Sequence, residues 1–233
     1  PRSAELVKYA NNAFLATKIS FINDIAHLAD QLGANIEDVA AGIGTDPRIG
    51  PAFLSAGPGW GGSCFPKDVH ALLHLATQNN IKLSICQSAI DANEEARLWI
   101  IHRLEHHLGD LKGKRIGLLG LSFKQNTDDV RESPAMDILK RLTDRGAIVQ
   151  AFDPAAHVPA SSTSLFTRVE GMYEACEGTD AILIATEWDL FRTLEADRLS
   201  RLMKGTLVLD ARNLLDPIRI KAAGLTYQGV GRV

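Results

Sequence analysis

Apolar and small residues recur at helical spacing from the start of the chain. Leu6, Tyr9, Ala10, Ala13, Phe14, Thr17, Phe21, Ile25, Leu28 and Leu32 keep a period near 3.6 over about eight turns. Gly33 supplies a C-terminal stop, and Asn35 can cap a short helix over IEDVAAGI. VHALLHLATQNN predicts another helix, entered through Pro66. LSICQSAIDANEEARLWIIHRLEHHL predicts a single helix of roughly twenty-five residues, longer than an ordinary globular helix. Ile85, Ala89, Ala92, Ala96, Ile100 and Leu104 form a stripe along it, which suits an interdomain strut carrying dimer contacts.

After GDLKG the period changes. RIGLLGLSF, AIVQAFD, AILIAT, TLVLDA and LTYQGV are short apolar runs, mostly rich in β-branched residues. Between them lie AMDILKRLTDRG, VEGMYEACEG, LEADRLSRLM and IRIKAAG, which predict helices. Strands alternating with helices imply βαβ units and a parallel sheet with helices on both faces. The expected class is therefore α/β: a helical central domain over 1–83, a long connecting helix over 84–110, and a Rossmann-like, doubly wound domain over 111–233.

Ligands of such sheets sit at the carboxyl ends of the strands. That edge gathers SFKQNTDDVRES, DPAA, TEWDLF and DARN, and with them Lys124, Arg131, Glu187 and Arg212, a set suited to a phosphorylated or nucleotide-like ligand. RIGLLGLSF carries G-x-x-G and not G-x-G-x-x-G, and the dinucleotide fingerprint occurs nowhere else, so this domain is not expected to be a good NAD site.

Composition narrows the classes. The chain of 233 residues is 45% hydrophobic and 23% charged, as in globular proteins, with a net charge of −3 that disfavours nucleic acid and anionic membranes as main partners. No apolar run is long enough to span a bilayer. Cys64, Cys86 and Cys176 lack metal-ligand spacing and read as reduced thiols of a cytoplasmic compartment; no metal site is expected.

Cys64 stands out because it lies inside GPGWGGSCFPKD, the most glycine-rich stretch of the chain. Glycines let a backbone approach a ligand closely. A cysteine just before a helix N-terminus, with Lys67 nearby, has surroundings that favour a thiolate nucleophile. Asp68, four residues on, can act as a base on a water near the sulfur. Lys8 and Asn12, an i, i+4 pair, share a helix face and can donate to an oxyanion; as residues alone they read first as a solvated polar face, as most such pairs do. Arg48 can reach a phosphate or cap a helix, and its loop leaves both open.

AELVKYANNAFLATKISFINDIA, GTDPRIGPAFLSAGPGWGGSCFPKD, GLSFKQNTDDVRESP, ATEWDLF and LDARNLLD together resemble the UDP-glucose/GDP-mannose dehydrogenase family, in order and spacing, over nearly the whole chain. The family has an NAD-binding Rossmann domain, a central helical domain and a C-terminal nucleotide-binding domain; this chain resembles the second and third. The phosphate-binding glycines and acid/base glutamate of the first are not in this sequence, so the chain alone is expected to bind NAD poorly and to turn over little substrate. The resemblance implies Cys64 as nucleophile, Lys8 and Asn12 as oxyanion donors, and Asp68 as base in hydrolysis. It implies Arg48, Phe53, Ser55, Gly57, Gly61, Phe123, Lys124 and Arg212 as contacts to a UDP-sugar, Arg48 often reaching the neighbouring subunit, with Lys67 and Arg131 facing NAD. Ser55 departs from relatives that carry lysine or tyrosine there. The implied reaction oxidises the C6 alcohol of UDP-glucose to a carboxylate with two NAD+, through a cysteine thiohemiacetal and thioester, in a homodimer joined through the central domain and long helix. GDP-mannose or a UDP-N-acetylhexosamine are the alternative substrates, and a non-catalytic nucleotide-sugar-binding dimerisation module is the alternative class.

Overall fold

The computed structural model describes residues 2–232. Pro1 and Val233, the outermost residues of the expected spans 1–83 and 111–233, lie outside the described residues. The first part consists of α1 (Arg2–Leu32), α2 (Ile36–Gly44), α3 (Phe65–Gln78) and α4 (Ser84–Leu108). Gly33, at φ 68°, ends α1, and the Asn35 side chain accepts from the Glu37 N–H to cap α2. The α3 helix begins on a Phe-Pro pair, with Cys64 itself at the N-cap.

The second part is a six-stranded, all-parallel sheet in the order β3-β2-β1-β4-β5-β6. Its strands are β1 (Arg115–Leu119), β2 (Ile148–Phe152), β3 (Thr167–Arg168), β4 (Ala181–Ile184), β5 (Leu207–Asp210) and β6 (Thr226–Gly229). Three helices lie among them: α5 (Pro134–Asp144), α6 (Ala196–Leu202) and α7 (Pro217–Ala222). The order reverses between β1 and β4, the topological switch point of a doubly wound sheet.

Period-two alternation divides the strand residues between two cores. Ile116, Leu118, Val149, Ala151, Leu183 and Leu209 join one buried cluster with Ile22 and Ala26 of α1, Ile100, Ile101 and Leu104 of α4, and Ile138 and Leu142 of α5. Leu119, Ile182, Ile184 and Val208 face the other way, onto Phe191, Leu199, Ile220 and Cys176. The helical part thus shares a core with the sheet. A smaller cluster of Ala13, Ala16, Trp60, Val69 and Leu72 closes its far end.

Two expectations need correction, and one strand escaped the pattern. VEGMYEACEG is not a helix: it is a series of turns containing one 3₁₀ turn, Glu174–Cys176. The Glu174 carboxylate accepts from the Glu170 N–H, and Gly178 sits at φ 65°, so side-chain and turn geometry replace helical bonds there. A two-residue strand, Thr167–Arg168, lies at the sheet edge, too short for alternation to reveal. The α4 stripe is largely used within this chain: Ala89, Ala96, Ile100 and Leu104 are buried and α1 is the main helix packed on α4, while Ile85 stays exposed. Large apolar residues left exposed include Leu6, Phe14, Phe21, Leu28 and Leu32 on α1 and Ile85 at the start of α4.

Candidate active site

Two helices bring the predicted polar residues of the first half together. Asp68, on the first turn of α3, is fully buried, and its Oδ2 accepts from Asn12 Nδ2 of α1 at 2.6 Å. Lys8, one turn earlier on α1, lies 3.8 Å from the same oxygen, and Lys67 lies 3.6 Å from Oδ1. Oδ1 has no hydrogen-bond partner among the described residues. A buried carboxylate flanked by two lysines and an amide is compensated by charge rather than exposed to water. Cys64 sits one turn before Asp68, whose N–H donates to the Cys64 carbonyl at 2.9 Å; the cysteine side chain is exposed. As the N-cap residue of α3, Cys64 makes no side-chain capping hydrogen bond.

The three cysteines differ in setting. Burial pushes the Cys86 thiol above its ordinary value and the Cys176 thiol up to about 12. Cys64 alone among them is exposed. Arg131, in the loop after β1, forks onto Asp129 at 2.9 and 2.7 Å. That fork holds its guanidinium above its ordinary value, with a smaller contribution from the nearby Cys64, and holds the Asp129 carboxyl below its own. Arg131 thus lies near the cysteine, and Lys67 follows it by three residues on the first turn of α3.

The glycine loop is positioned by residues that its own sequence does not announce. Asn23 Oδ1 accepts from the Gly57 N–H at 2.8 Å. Asn93 Oδ1 accepts from the Trp60 N–H at 2.7 Å, while its Nδ2 donates to the Trp60 carbonyl at 3.1 Å. Arg97, one turn along α4, donates to the same carbonyl at 3.0 Å, and the Trp60 indole N–H reaches Ser20 Oγ. Asparagines buried in the middle of long helices are poor helix formers, and that was the one available sequence signal. The loop is equally close to the sheet: a Cβ on Gly61 would stand 2.0 Å from the Glu132 carbonyl oxygen, so only glycine fits. Phe123 packs against Gly62.

A cavity of about 220 Å³ opens beside the loop, lined by Ile19, Phe53, Ser55, Gly57, Gly59 and Arg212. Arg212 Nε donates to the Ala185 carbonyl at 3.0 Å and pairs with Glu187 at 3.1 Å, which fixes its guanidinium at the mouth. Phe53 holds φ 64°, a strained conformation for a non-glycine residue, and stays half-exposed over the cavity. Lys124 is exposed, its Nζ 5.3 Å from the Phe123 ring centre. The structure therefore forms two adjoining groups, one around Cys64 and one around Arg212, joined by the glycine loop. Arg48 belongs to neither: it is exposed and bonded to Asp46 of its own turn.

The sheet does not fit a dinucleotide, because the N–H groups of Leu121 and Ser122, where a pyrophosphate would lie, are taken by the Asp153 carboxylate. Lys67 and Arg131 are exposed cations, each paired with a neighbouring carboxylate, Asp68 and Asp129 respectively. Among the described residues no helix is long and apolar enough to cross a membrane, and no group of three or more His, Cys, Asp or Glu is placed to hold a metal.

Residues 2–95 match the model of the UDP-glucose/GDP-mannose dehydrogenase family's central domain, and residues 117–217 match that of its UDP binding domain. The chain is 46% identical over 233 residues to UDP-glucose 6-dehydrogenase TuaD of Bacillus subtilis (strain 168), covering 99% of this chain and 50% of that protein. A UDP-glucose 6-dehydrogenase of Rhizobium meliloti (strain 1021) is 43% identical, with 99% and 53% covered. Among solved structures, a UDP-glucose dehydrogenase from the hyperthermophilic archaeon Pyrobaculum islandicum superposes with a TM-score of 0.89 at 37% identity, over 100% of this chain and 52% of that one. NDP-N-acetyl-D-galactosaminuronic acid dehydrogenase from Methanosarcina mazei Go1 superposes at 0.86 with 25% identity, over 99% and 51%. The chain spans about half the length of the curated relatives it matches. With both matched domains in order and a sheet, helices and cysteine loop arranged as described, the chain belongs to the UDP-glucose/GDP-mannose dehydrogenase family.

Proposed function

We propose that this chain carries the cysteine and sugar-nucleotide side of a nucleotide-sugar 6-dehydrogenase that oxidises the C6 alcohol of UDP-glucose to a carboxylate. The observation that carries the reading is the convergence of Lys8, Asn12 and Asp68 from two helices, one turn from the exposed Cys64.

NAD, held against Lys67 and Arg131, would supply the hydride acceptor for both oxidations when bound. The chain's own residues do the rest. The Cys64 thiolate adds to the C6 aldehyde carbon, forming a C–S bond and a tetrahedral oxyanion. Lys8 and Asn12 donate to that oxyanion. Loss of hydride from C6 leaves a thioester on Cys64. Water, its proton taken by the Asp68 carboxylate, adds to the thioester carbon; the C–S bond breaks and the electron pair returns to sulfur. Overall one alcohol, two NAD+ and one water give a carboxylate, two NADH and three protons. Phe53, Ser55, Gly57, Gly61, Phe123, Lys124 and Arg212 hold the nucleotide diphosphate, the cations and loop N–H groups meeting its charge. A second copy packs on the apolar row of α1, and the exposed turn of Arg48 extends toward the neighbouring site.

The test uses the full-length protein that contains this chain, with Cys64→Ser. UDP-glucose turnover to UDP-glucuronate should fall at least a thousandfold, with UDP-glucose binding retained. Undiminished acid production refutes the covalent reading. Retained binding with no turnover in the wild type as well leaves the non-catalytic module, and preference for GDP-mannose or UDP-GlcNAc in calorimetry replaces the sugar.

A further inference from the structure

At the topological switch point a doubly wound sheet ordinarily leaves a crevice for nucleotide phosphates: the turn after β1 offers free N–H groups and the next helix offers its N-terminus. Here both are occupied by the chain itself. Asp153, the residue after β2, is 3% exposed and turns its carboxylate back across the sheet edge. Its Oδ2 accepts from the N–H of Leu121 at 2.7 Å, the N–H of Ser122 at 2.9 Å, Ser122 Oγ at 2.7 Å and the Trp188 indole at 3.1 Å. Its Oδ1 accepts from the N–H groups of Ala155 and Ala156 at 2.9 and 2.7 Å. A carboxylate so surrounded occupies the place of a phosphate. The acidic residue that would meet a ribose at the end of β2 is thus spent inside the protein.

The remaining openings are shut as well. Helix α5 starts only at Pro134, which has no N–H to offer. Its N-cap, Ser133, accepts from the Ala135 N–H and donates to the Leu121 carbonyl at 2.7 Å. Thr186, after β4, fills the gap between the two central strands: its Oγ1 donates to the Ser122 carbonyl at 2.6 Å.

We infer that Asp153 is a specificity-determining residue, an internal anion that closes this sheet to a dinucleotide and leaves only the Arg212 rim for a nucleotide ligand. The inference rests on the sheet alone and stands whether or not Cys64 is a nucleophile.

Two measurements on this chain test it. In the wild type, the amide ¹H–¹⁵N signals of Leu121 and Ser122 should stay in place as NAD is added; a saturable shift of both overturns the inference. In Asp153→Ala the emptied nest should accept a small anion. Sodium formate should raise the variant's Tm by about 3 °C or more over chloride at equal ionic strength, while the wild type moves by less than about 1 °C. Equal responses of the two proteins refute it, and if the variant does not fold the amide titration decides alone.

Discussion

Asn93→Ala isolates the contact on which the cysteine loop depends. The wild-type amide holds both polar groups of one peptide unit pair, accepting from the Trp60 N–H at 2.7 Å and donating to its carbonyl at 3.1 Å. Asn93 and Trp60 are each 5% exposed, so water does not replace what is lost. The carbonyl keeps Arg97 as a donor, so that loss costs about 0.5–1.5 kcal/mol. The N–H is left buried without a partner, at about 1–3 kcal/mol. Alanine's better helix propensity returns roughly 0.5 kcal/mol. The expected net loss is about 1–4 kcal/mol, read as a lower denaturant midpoint at unchanged m. Asn93→Asp adds a sign. Its carboxyl must be protonated to donate to the Trp60 carbonyl, so its folded pKa is raised, and its stabilising form persists below the unfolded value and is lost as pH rises. The gap to wild type should therefore be wider at pH 8 than at pH 4. A loss below about 0.5 kcal/mol for the alanine variant, or a pH-independent gap for the aspartate variant, refutes the assigned role.

Thiol labelling of the native chain at pH 8 should run in the order Cys64, Cys86, Cys176, since burial pushes the last two thiols up; Cys176 labelling as fast as Cys64 would count against the buried setting described. Burial alone would push the Asp153 carboxyl up, but the N–H groups of Leu121, Ser122 and Ala155 and the Ser122 hydroxyl outweigh it and hold it below the ordinary range. Its contribution is therefore present above about pH 4 and is lost as pH falls through the folded value, so the stability difference between wild type and Asp153→Asn should shrink on acidification; a difference that grows refutes this sign. Phe21→Glu, on the exposed row of α1, should move sedimentation from dimer to monomer without lowering Tm by more than about 2 °C, and an unmoved dimer sends the interface elsewhere. Phe53→Gly should leave stability within about 1 kcal/mol, because released strain offsets the freer unfolded chain, yet weaken UDP-glucose binding several-fold; unchanged affinity removes Phe53 from the cavity's function.

Long-period features were readable because they rest on local physics. The α1 and α4 patterns, the Asn35 cap and the Gly33 stop are decided within a few residues, and the structure places them where the spacing predicts. The parallel sheet was readable from the alternation of β-branched runs and helices. VEGMYEACEG failed because helical composition lost to a Glu174 carboxylate binding the Glu170 N–H. Most of the α4 stripe is used inside the chain because periodicity identifies an apolar face and not its partner, and α1 packs on α4. In the site, Cys64, Lys67 and Asp68 share one short motif, whereas Asn23, Asn93, Ser20 and Arg97 act on the loop from positions between 33 and 40 residues away in the chain, where no local pattern reports them.

This division has a consequence for how the site is built. The glycine loop makes no regular structure of its own, so its geometry must be imposed from outside. One side is set by α1 and α4 through Asn23, Ser20, Asn93 and Arg97. The other is set by the loop after β1, where the Gly62 N–H donates to the Glu132 carbonyl and no Cβ fits at Gly61. Arg97 joins the two, since it donates to Trp60 and lies 3.5 Å from Asp137 of α5. The long α4 helix earns its length in this way: its first half packs beside α3, its middle fixes the cysteine loop, and its last turns are buried against the sheet core. A shift of the sheet relative to α1 would therefore change the setting of Cys64 and of Arg212 together, because a single clamped loop separates the two groups.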